Sequence, residues 1–196
     1  EVIVTATFTT RRLRLRDNNI EDKFEYLNKK AGEIAKKTKE LHPNVLIAGG
    51  IPPQYLTYEE DTRPNDVIKK NFFEQAELLN PYVDFFYFDV LSSVREFKLA
   101  IEAIENFNKP YLIGAHISEG CHLPSGEKIS DIINKIKHKD LLGLILSCVS
   151  PENFSANLDE IKTLGIPFGF KLNAFKTTNP KAGYTNNFNK SKTGNP

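Results

Sequence analysis

The sequence contains no methionine and no tryptophan, and only two cysteines, Cys121 and Cys148, among its 196 residues. Two cysteines are too few for a disulfide framework, so we expect a fold held by its hydrophobic core in a reducing, cytoplasmic setting. No segment resembles a signal peptide, and no apolar run has the length of a membrane span. These absences favour a globular protein without a membrane partner.

An excess of charge of either sign is also missing. Lys and Arg number 26 against 25 Asp and Glu, and the formal net charge is +1. The densest basic cluster, at residues 11–16, is followed by Asp17, which is typical of a solvated loop or helix start and not of a phosphate-binding patch. No Gly-rich phosphate loop follows any apolar segment. We therefore predict no nucleic-acid partner and no nucleotide-binding sheet of the usual kind.

The two ends lack the features of domain boundaries. The sequence opens directly in the apolar segment EVIVTATF, without a preceding turn, and closes in the polar stretch TTNPKAGYTNNFNKSKTGNP. With the missing methionine, this pattern leads us to expect a single domain over residues 1–196 that is incomplete at both ends. Residues 176–196 are expected to form a polar loop or tail.

What the sequence does contain is a regular alternation of apolar strand-like segments with amphipathic helical segments. Such alternation requires parallel strands joined by helical crossovers, which is the α/β class. An open doubly wound sheet and a barrel both satisfy it. Because no phosphate loop is present, we favour a TIM (β/α)8 barrel seen without its first and last strands. The predicted strands are residues 2–9, 45–48, 83–90, 110–117, 141–146 and 167–174, and the predicted helices are 20–41, 66–79, 93–105, 130–136 and 152–164, with Asn65 and Ser130 as caps.

Polar residues follow most of the predicted strands. In a barrel the carboxyl ends of the strands converge on one mouth, so these residues are expected to share a pocket. A thiol, a carboxylate, an imidazole, hydroxyls and an amide suit the recognition of a small polar molecule beside a metal. The strand-end residues concerned are Thr7, Thr9, Asp89, His116, Ser147, Cys148 and Asn173, together with the non-polar Phe8, Gly49 and Gly50.

Each of these residues also has a purely structural interpretation. Cys148 can be a small core hydrophobe, and His116 a hydrogen-bonded core histidine. Thr7 can simply favour the strand conformation. Asp89 is harder to explain this way, because a carboxylate after the aromatic run FFYF has to end in an open, polar place.

Five of the strand ends, in their order, resemble the homocysteine S-methyltransferase family. TATFTT at residues 5–10 is similar to the family's TxTF, VLIAGGIPP at 45–53 resembles VAGSxGP, and FDV at 88–90 lies where the family often has FET. SCVSP at 147–151 resembles NCxxP, and the pair 173–174 is a weaker match to PNxG. The similarity extends over nearly the whole sequence.

The resemblance implies a zinc-dependent transfer of a methyl group from a small donor to the thiol of homocysteine, giving methionine. In the family, three thiolates hold Zn²⁺: one comes from the NCxxP strand and two from an adjacent cysteine pair in a Gly-rich turn. Cys148 would then be the catalytic zinc ligand, and Asp89 would meet the ammonium of homocysteine. Thr7, Phe8 and Asn173 would line the substrate pocket. We expect homocysteine and the donor as partners, with a homo-oligomer as an alternative to a monomer.

The sequence departs from this pattern in at least three ways. The adjacent cysteine pair is missing, and we expect it beyond Pro196. Asp89 is also shorter than the usual Glu, and Ser147 replaces the usual Asn. Cys121 with His122 is a poor substitute for the missing ligands, because neighbouring side chains in an extended segment point apart.

Two other functions stay open at this point. One is a barrel enzyme of the lyase or aldolase type, which is disfavoured because Lys171 lies inside its strand instead of at the end of it. The other is a barrel that binds a small molecule without catalysis.

Overall fold

The computed structural model describes residues 1–117, 120–136 and 139–173. Strands and helices alternate along this part of the chain. The strands are β1 (Val2–Val4), β2 (Leu46–Ile51), β3 (Phe85–Leu91), β4 (Tyr111–Ala115), β5 (Leu141–Val149) and β6 (Phe168–Leu172). The α-helices are α1 (Arg12–Asp17), α2 (Phe24–Leu41), α3 (Asn65–Leu79), α4 (Val94–Ile104), α5 (Ile129–Lys135), α6 (Pro151–Ala156) and α7 (Leu158–Lys162), and short 3₁₀ turns cover Glu21–Lys23, Asn80–Tyr82 and Glu105–Phe107.

The order of the strands distinguishes the two α/β architectures. The six-stranded sheet has the order β1-β2-β3-β4-β5-β6, and every pairing between neighbours is parallel. A doubly wound sheet reverses its strand order at a switch point, whereas a barrel adds each strand beside the previous one. The sheet curls into a half-barrel, so the barrel prediction is confirmed for these strands.

The two faces of the sheet pack differently. The outward face carries the main core, in which strand side chains such as Phe86 and Phe88 meet helix side chains such as Phe72 and Phe97. The inward face carries a small cluster of strand residues alone, with Ala48, Phe85 and Tyr87 buried and Leu112 and Ile145 packed against them. Since successive strand residues alternate between faces, the carboxyl ends of the strands present a separate inner set of side chains.

The first two strands differ from the predicted ones. β1 ends at Val4, because the amide of Thr7 turns back to the carbonyl of Thr5 at 2.8 Å instead of continuing the ladder. β2 does not stop before its glycines but runs through them to Ile51. A Cβ on Gly50 would lie 2.9 Å from a methyl of Val4, so the glycine allows β1 and β2 to lie close together.

Three details of the helices were predicted wrongly. Asn65 is the first residue of α3, and Pro64 is in the cap position. The side-chain oxygen of Asn65 accepts from Arg95 at 2.8 Å and does not cap the helix. Helix α5 begins at Ile129, with Lys128 and not Ser130 in the cap position. The helix predicted over 152–164 is two short helices divided at Asn157. By contrast, Ser93 begins its helix as predicted, with its hydroxyl accepting from the amide of Glu96 at 3.1 Å.

None of the helices in the described ranges combines the length and the apolar character needed to cross a lipid bilayer. The predicted polar tail at residues 176–196 lies outside the described residues.

Candidate active site

A polar cluster lies on the inward face at the carboxyl ends of β3, β5 and β6. Tyr87 and Asp89 come from β3, two residues apart and therefore on the same face. Ser147 of β5 is the register partner of Lys171 of β6. All but Lys171 are buried, while the Lys171 side chain keeps 44% of its surface exposed. The ammonium of Lys171 is thus the part of the cluster nearest to solvent.

Hydrogen bonds join these four side chains into one chain. The Tyr87 hydroxyl donates to Asp89 Oδ1 at 2.8 Å, and it lies 2.6 Å from Ser147 Oγ. Because the phenol has a single proton, Ser147 must be the donor in that second bond. The ammonium of Lys171 donates to the other carboxylate oxygen, Asp89 Oδ2, at 2.5 Å. Asp89 therefore receives one neutral and one cationic donor.

Tyr87 is held as a neutral phenol. Burial raises its pKa above the ordinary value, and the negative charge of Asp89 raises it further. The ammonium of Lys171 also lies 5.8 Å from the centre of the Tyr87 ring, within the range of a cation–π contact. The phenol consequently stays a hydrogen-bond donor to Asp89 at any physiological pH.

A glycine makes the bond from β3 to β5 possible. Strand β4 lies between those two strands, and Gly114 faces the Tyr87 ring. A Cβ at Gly114 would lie 2.8 Å from Tyr87 Cε2 and 2.6 Å from the carbonyl oxygen of Phe88. The missing side chain leaves the ring room to reach across β4 to Ser147.

Cys148 follows Ser147 in a bulge of β5. Its φ is 58°, and the pairing with β6 shifts register between Ser147 and Val149. The thiol is half-buried. Burial raises its pKa, while a hydrogen bond from Tyr58 and the positive charge of Lys171 act in the opposite direction. The sulfur is therefore a protonated thiol near neutral pH, placed beside the polar cluster.

Asn173 fixes the backbone of this bulge. Its side-chain amide donates to the carbonyl of Cys148 at 2.7 Å, and its main-chain amide donates to the carbonyl of Val149 at 3.0 Å. Asn173 thus holds Cys148 in place by hydrogen bonds to the main chain of β5.

His116 lies directly after β4, buried against Tyr58. The two ring centres are 4.6 Å apart, and His116 Nδ1 lies 3.1 Å from the carbonyl oxygen of Ser147. Burial lowers the pKa of the imidazole. These contacts agree with a hydrogen-bonded core histidine, and they orient Tyr58 toward Cys148.

Thr7 and Phe8 follow β1, which is the edge strand of the sheet opposite β6. Thr7 is fully buried and its hydroxyl donates to the carbonyl of Gly50 at 2.5 Å, while the Gly50 amide donates to Thr5 Oγ1 at 2.9 Å. Phe8 is half-buried beneath the guanidinium of Arg11, 5.3 Å from the ring centre. The hydroxyl of Thr7 is therefore used to join β1 to β2.

The sequence model of the family described as "Homocysteine S-methyltransferase" matches residues 1–194. The chain belongs to the homocysteine S-methyltransferase family. No curated protein sequence matches it at a significant level.

Solved structures agree with the fold of this family. The homocysteine methyltransferase MmuM from Escherichia coli in its metallated form aligns with a TM-score of 0.77 at 17% identity, covering 88% of this chain and 67% of MmuM. Its oxidised form aligns with a TM-score of 0.79 at 19% identity, covering 88% and 65%. The carboxyl transferase domain of pyruvate carboxylase from Rhizobium etli aligns at 0.50 and 17% identity, covering 76% of this chain and 26% of that one. The chain thus spans about two thirds of the length of MmuM.

For this family member, the structure brings three of the five predicted site residues together. Asp89, Cys148 and Asn173 lie at the carboxyl ends of β3, β5 and β6, whereas Thr7 and Phe8 are held by a separate set of contacts. The sequence analysis did not predict Tyr87, and it considered Lys171 only as a Schiff-base lysine. A signal for both existed, because Tyr87 precedes Asp89 by two residues and Lys171 precedes Asn173 by two, which is the spacing of one strand face.

The donor atoms near Cys148 do not make a complete metal site. Within the described ranges, no three His, Cys, Asp or Glu side chains are placed to hold a metal ion. The carboxylate of Asp89 is already paired with Lys171, whose positive charge also opposes a neighbouring dication. Cys121 is buried elsewhere, with a thiol pKa raised to about 12 by burial. One suitable thiol, that of Cys148, is present.

Proposed function

We propose that this chain is the homocysteine-binding part of a zinc-dependent homocysteine S-methyltransferase, which moves a methyl group from a small donor to the thiol of homocysteine and releases methionine. The observation that carries the proposal is the thiol of Cys148 at the carboxyl end of β5, beside Asp89, in a chain of this family. The carboxyl ends of the strands are where barrels of this type hold their catalytic groups.

In this proposal the described residues bind and orient the amino acid. Asp89 accepts the ammonium of homocysteine, since each carboxylate oxygen keeps a second lone pair besides the one used by Tyr87 or Lys171. Asn173 positions Cys148 through the β5 bulge. In the same proposal the half-buried ring of Phe8 lines the pocket after β1, while Thr7, whose hydroxyl is bonded to the carbonyl of Gly50, supports that wall from behind.

Zinc, when bound, lowers the pKa of a coordinated thiol, so that the thiol becomes a thiolate nucleophile at neutral pH. Cys148 would hold it, with two further thiolates from outside these 196 residues. Burial favours the protonated thiol of Cys148, so metal binding has to displace that proton.

The proposal is tested on the full-length protein by comparing Cys148→Ala with Cys121→Ala. The Cys148 variant is expected to lose bound zinc, measured by elemental analysis, together with methionine formation from homocysteine and a panel of methyl donors. Cys121 is the matched control, because its thiol is buried against the carbonyl of Asn157 and has no role in the proposed site. Full zinc content in Cys148→Ala, or equal losses in both variants at equal stability, would contradict the assignment.

A second candidate function gains one observation from the structure. Lys171 was set aside because it lies inside its strand, yet its ammonium reaches the mouth beside Asp89 and Tyr87. A lysine in this place suits an enzyme of the lyase or aldolase type that forms a Schiff base. An ammonium that donates to a carboxylate is protonated and not nucleophilic, so we rank this function second. Borohydride trapping of a carbonyl substrate on Lys171 would reverse the ranking.

A further inference from the structure

The ion pair between Lys171 and Asp89 has unused bonding capacity on both partners. Lys171 has three donor hydrogens, and its contacts in the described part of the chain are Asp89 and the Tyr87 ring. Each Asp89 oxygen receives one donor from the described residues and can accept another. The pair can therefore bind one further anion at Lys171 and one further cation at Asp89.

The two partners differ in how firmly they are held. Asp89 is 8% exposed and is bonded by the buried phenol of Tyr87, which is itself bonded by Ser147. The Lys171 side chain is 44% exposed and reaches Asp89 through a flexible stem. When the pair opens, Lys171 is the partner that moves, and Asp89 keeps one hydrogen bond in place.

A ligand that replaces such a pair without leaving a buried charge uncompensated must carry one charge of each sign, close together. A free α-amino acid meets this requirement, since its ammonium and carboxylate share one carbon atom. We propose that Lys171 binds the carboxylate of a free α-amino acid while Asp89 takes its ammonium, so that the ion pair opens to admit the zwitterion.

This inference rests on the proposed function for the choice of an amino acid as ligand, and it adds a specificity-determining residue. It predicts that the carboxylate is required for binding, which excludes amines, amino-acid esters and internal peptide residues as substrates. Because the pair lies beside Cys148, the side chain of the bound amino acid would extend toward the sulfur of Cys148.

The test measures the affinity of two ligands that undergo no methyl transfer, L-methionine and its carboxylate-free analogue 3-(methylthio)propylamine, by calorimetry on the full-length protein. The wild-type protein is expected to bind L-methionine at least about 10-fold more tightly than the amine, as for a charge-assisted hydrogen bond. In Lys171→Met this ratio is expected to fall to about 1, and Lys171→Arg should restore part of it. Lys162→Met, at an exposed lysine paired with Asp159, is the matched control and should keep the wild-type ratio.

Lys171→Met leaves the buried carboxylate of Asp89 without its ion-pair partner, which can impair folding. The double variant Asp89→Asn with Lys171→Met removes that charge as well. Its affinity ratio of L-methionine to the amine should also be about 1. An unchanged ratio in these variants would overturn the role of Lys171 and leave the proposed function standing. A preference for L-methionine that depends on Lys171, in a protein that transfers no methyl group to homocysteine, would support the role of Lys171 and overturn the proposed function. No binding of L-methionine to the wild-type protein would overturn both.

Discussion

The two faces of the β-sheet differ in what their side chains are used for, although they come from the same strands. On β3, Phe86 and Phe88 point outward into the helix layer and are fully buried, whereas Tyr87 and Asp89 point inward and form the polar cluster. The outer face stabilises the fold by burying apolar surface. The inner face holds buried polar groups in a fixed, hydrogen-bonded arrangement of charges. A single apolar-looking run, FFYFDV, therefore contains residues of both the core and the site.

The largest effect is expected from Phe88→Ala on the outer face. Phe88 is fully buried, with its ring centre 6.3 Å from Phe72 and 6.0 Å from Tyr111. Its truncation leaves a cavity and should lower the free energy of unfolding by about 3–5 kcal/mol. Chemical denaturation measures this; a loss below about 1 kcal/mol would mean that the outer face is not the main core.

The next effect concerns Glu96, a carboxyl group buried on the helix side of the sheet. Burial raises its pKa to about 8, and the charge of Asp61 adds to the shift. An ordinary glutamate releases its proton near 4.5, so between these pH values the folded chain holds a proton that the unfolded chain has lost. The stabilisation by protonated Glu96 is complete below about pH 4.5 and is lost as the pH rises toward 8.

The wild-type free energy of unfolding should therefore fall by about 2–4 kcal/mol through this group between pH 5 and 8. Glu96→Gln should remove most of that slope. Denaturation at three pH values checks it, with Glu102→Gln, on the exposed side of the same helix, as the control that keeps the slope. Equal slopes in all three proteins would show that Glu96 is charged in the folded state.

A smaller effect is expected where the inner face is tightest. In Gly114→Ala the new methyl group would meet the Tyr87 ring and the Phe88 carbonyl, so the ring has to move away from Ser147. We expect a loss of about 1–3 kcal/mol, typical of overpacking, together with weaker binding of L-methionine. Gly126→Ala is the comparison variant with open space around its Cβ, although its φ of 87° adds backbone strain. An unchanged affinity for L-methionine in Gly114→Ala would show that the position of the Tyr87 ring does not affect ligand binding.

The smallest change in stability is expected from Tyr87→Phe. It removes the hydroxyl that joins Asp89 to Ser147 and should cost about 1 kcal/mol of stability. Because Asp89 then loses its fixed neutral donor, the affinity for L-methionine should fall more than the stability does. Tyr26→Phe, at a tyrosine that is 62% exposed, should change neither quantity. A stability loss without any change in affinity would mean that the phenol is purely structural.

The class of fold and the places where most strands end follow from the amino-acid pattern alone. Apolar runs alternate with amphipathic segments, and this local pattern forces parallel strands with helical crossovers, so the α/β class and most strand positions followed from it. The placing of Asp89, Cys148 and Asn173 at one edge of the sheet also followed, because parallel strands bring their carboxyl ends to the same side. The limits of β2 did not, since glycines that usually interrupt a strand are here required by the close approach of Val4.

The partners of these residues depend on how the strands pack in three dimensions. Lys171 is 82 residues from Asp89 in sequence, and Tyr87 is 60 residues from Ser147, so no local spacing predicts either bond. They form because β3, β5 and β6 curl around one axis and because Gly114 leaves a gap across β4. Secondary structure depends on short-range periodicity, whereas the charge balance of a site depends on side chains that meet across strands.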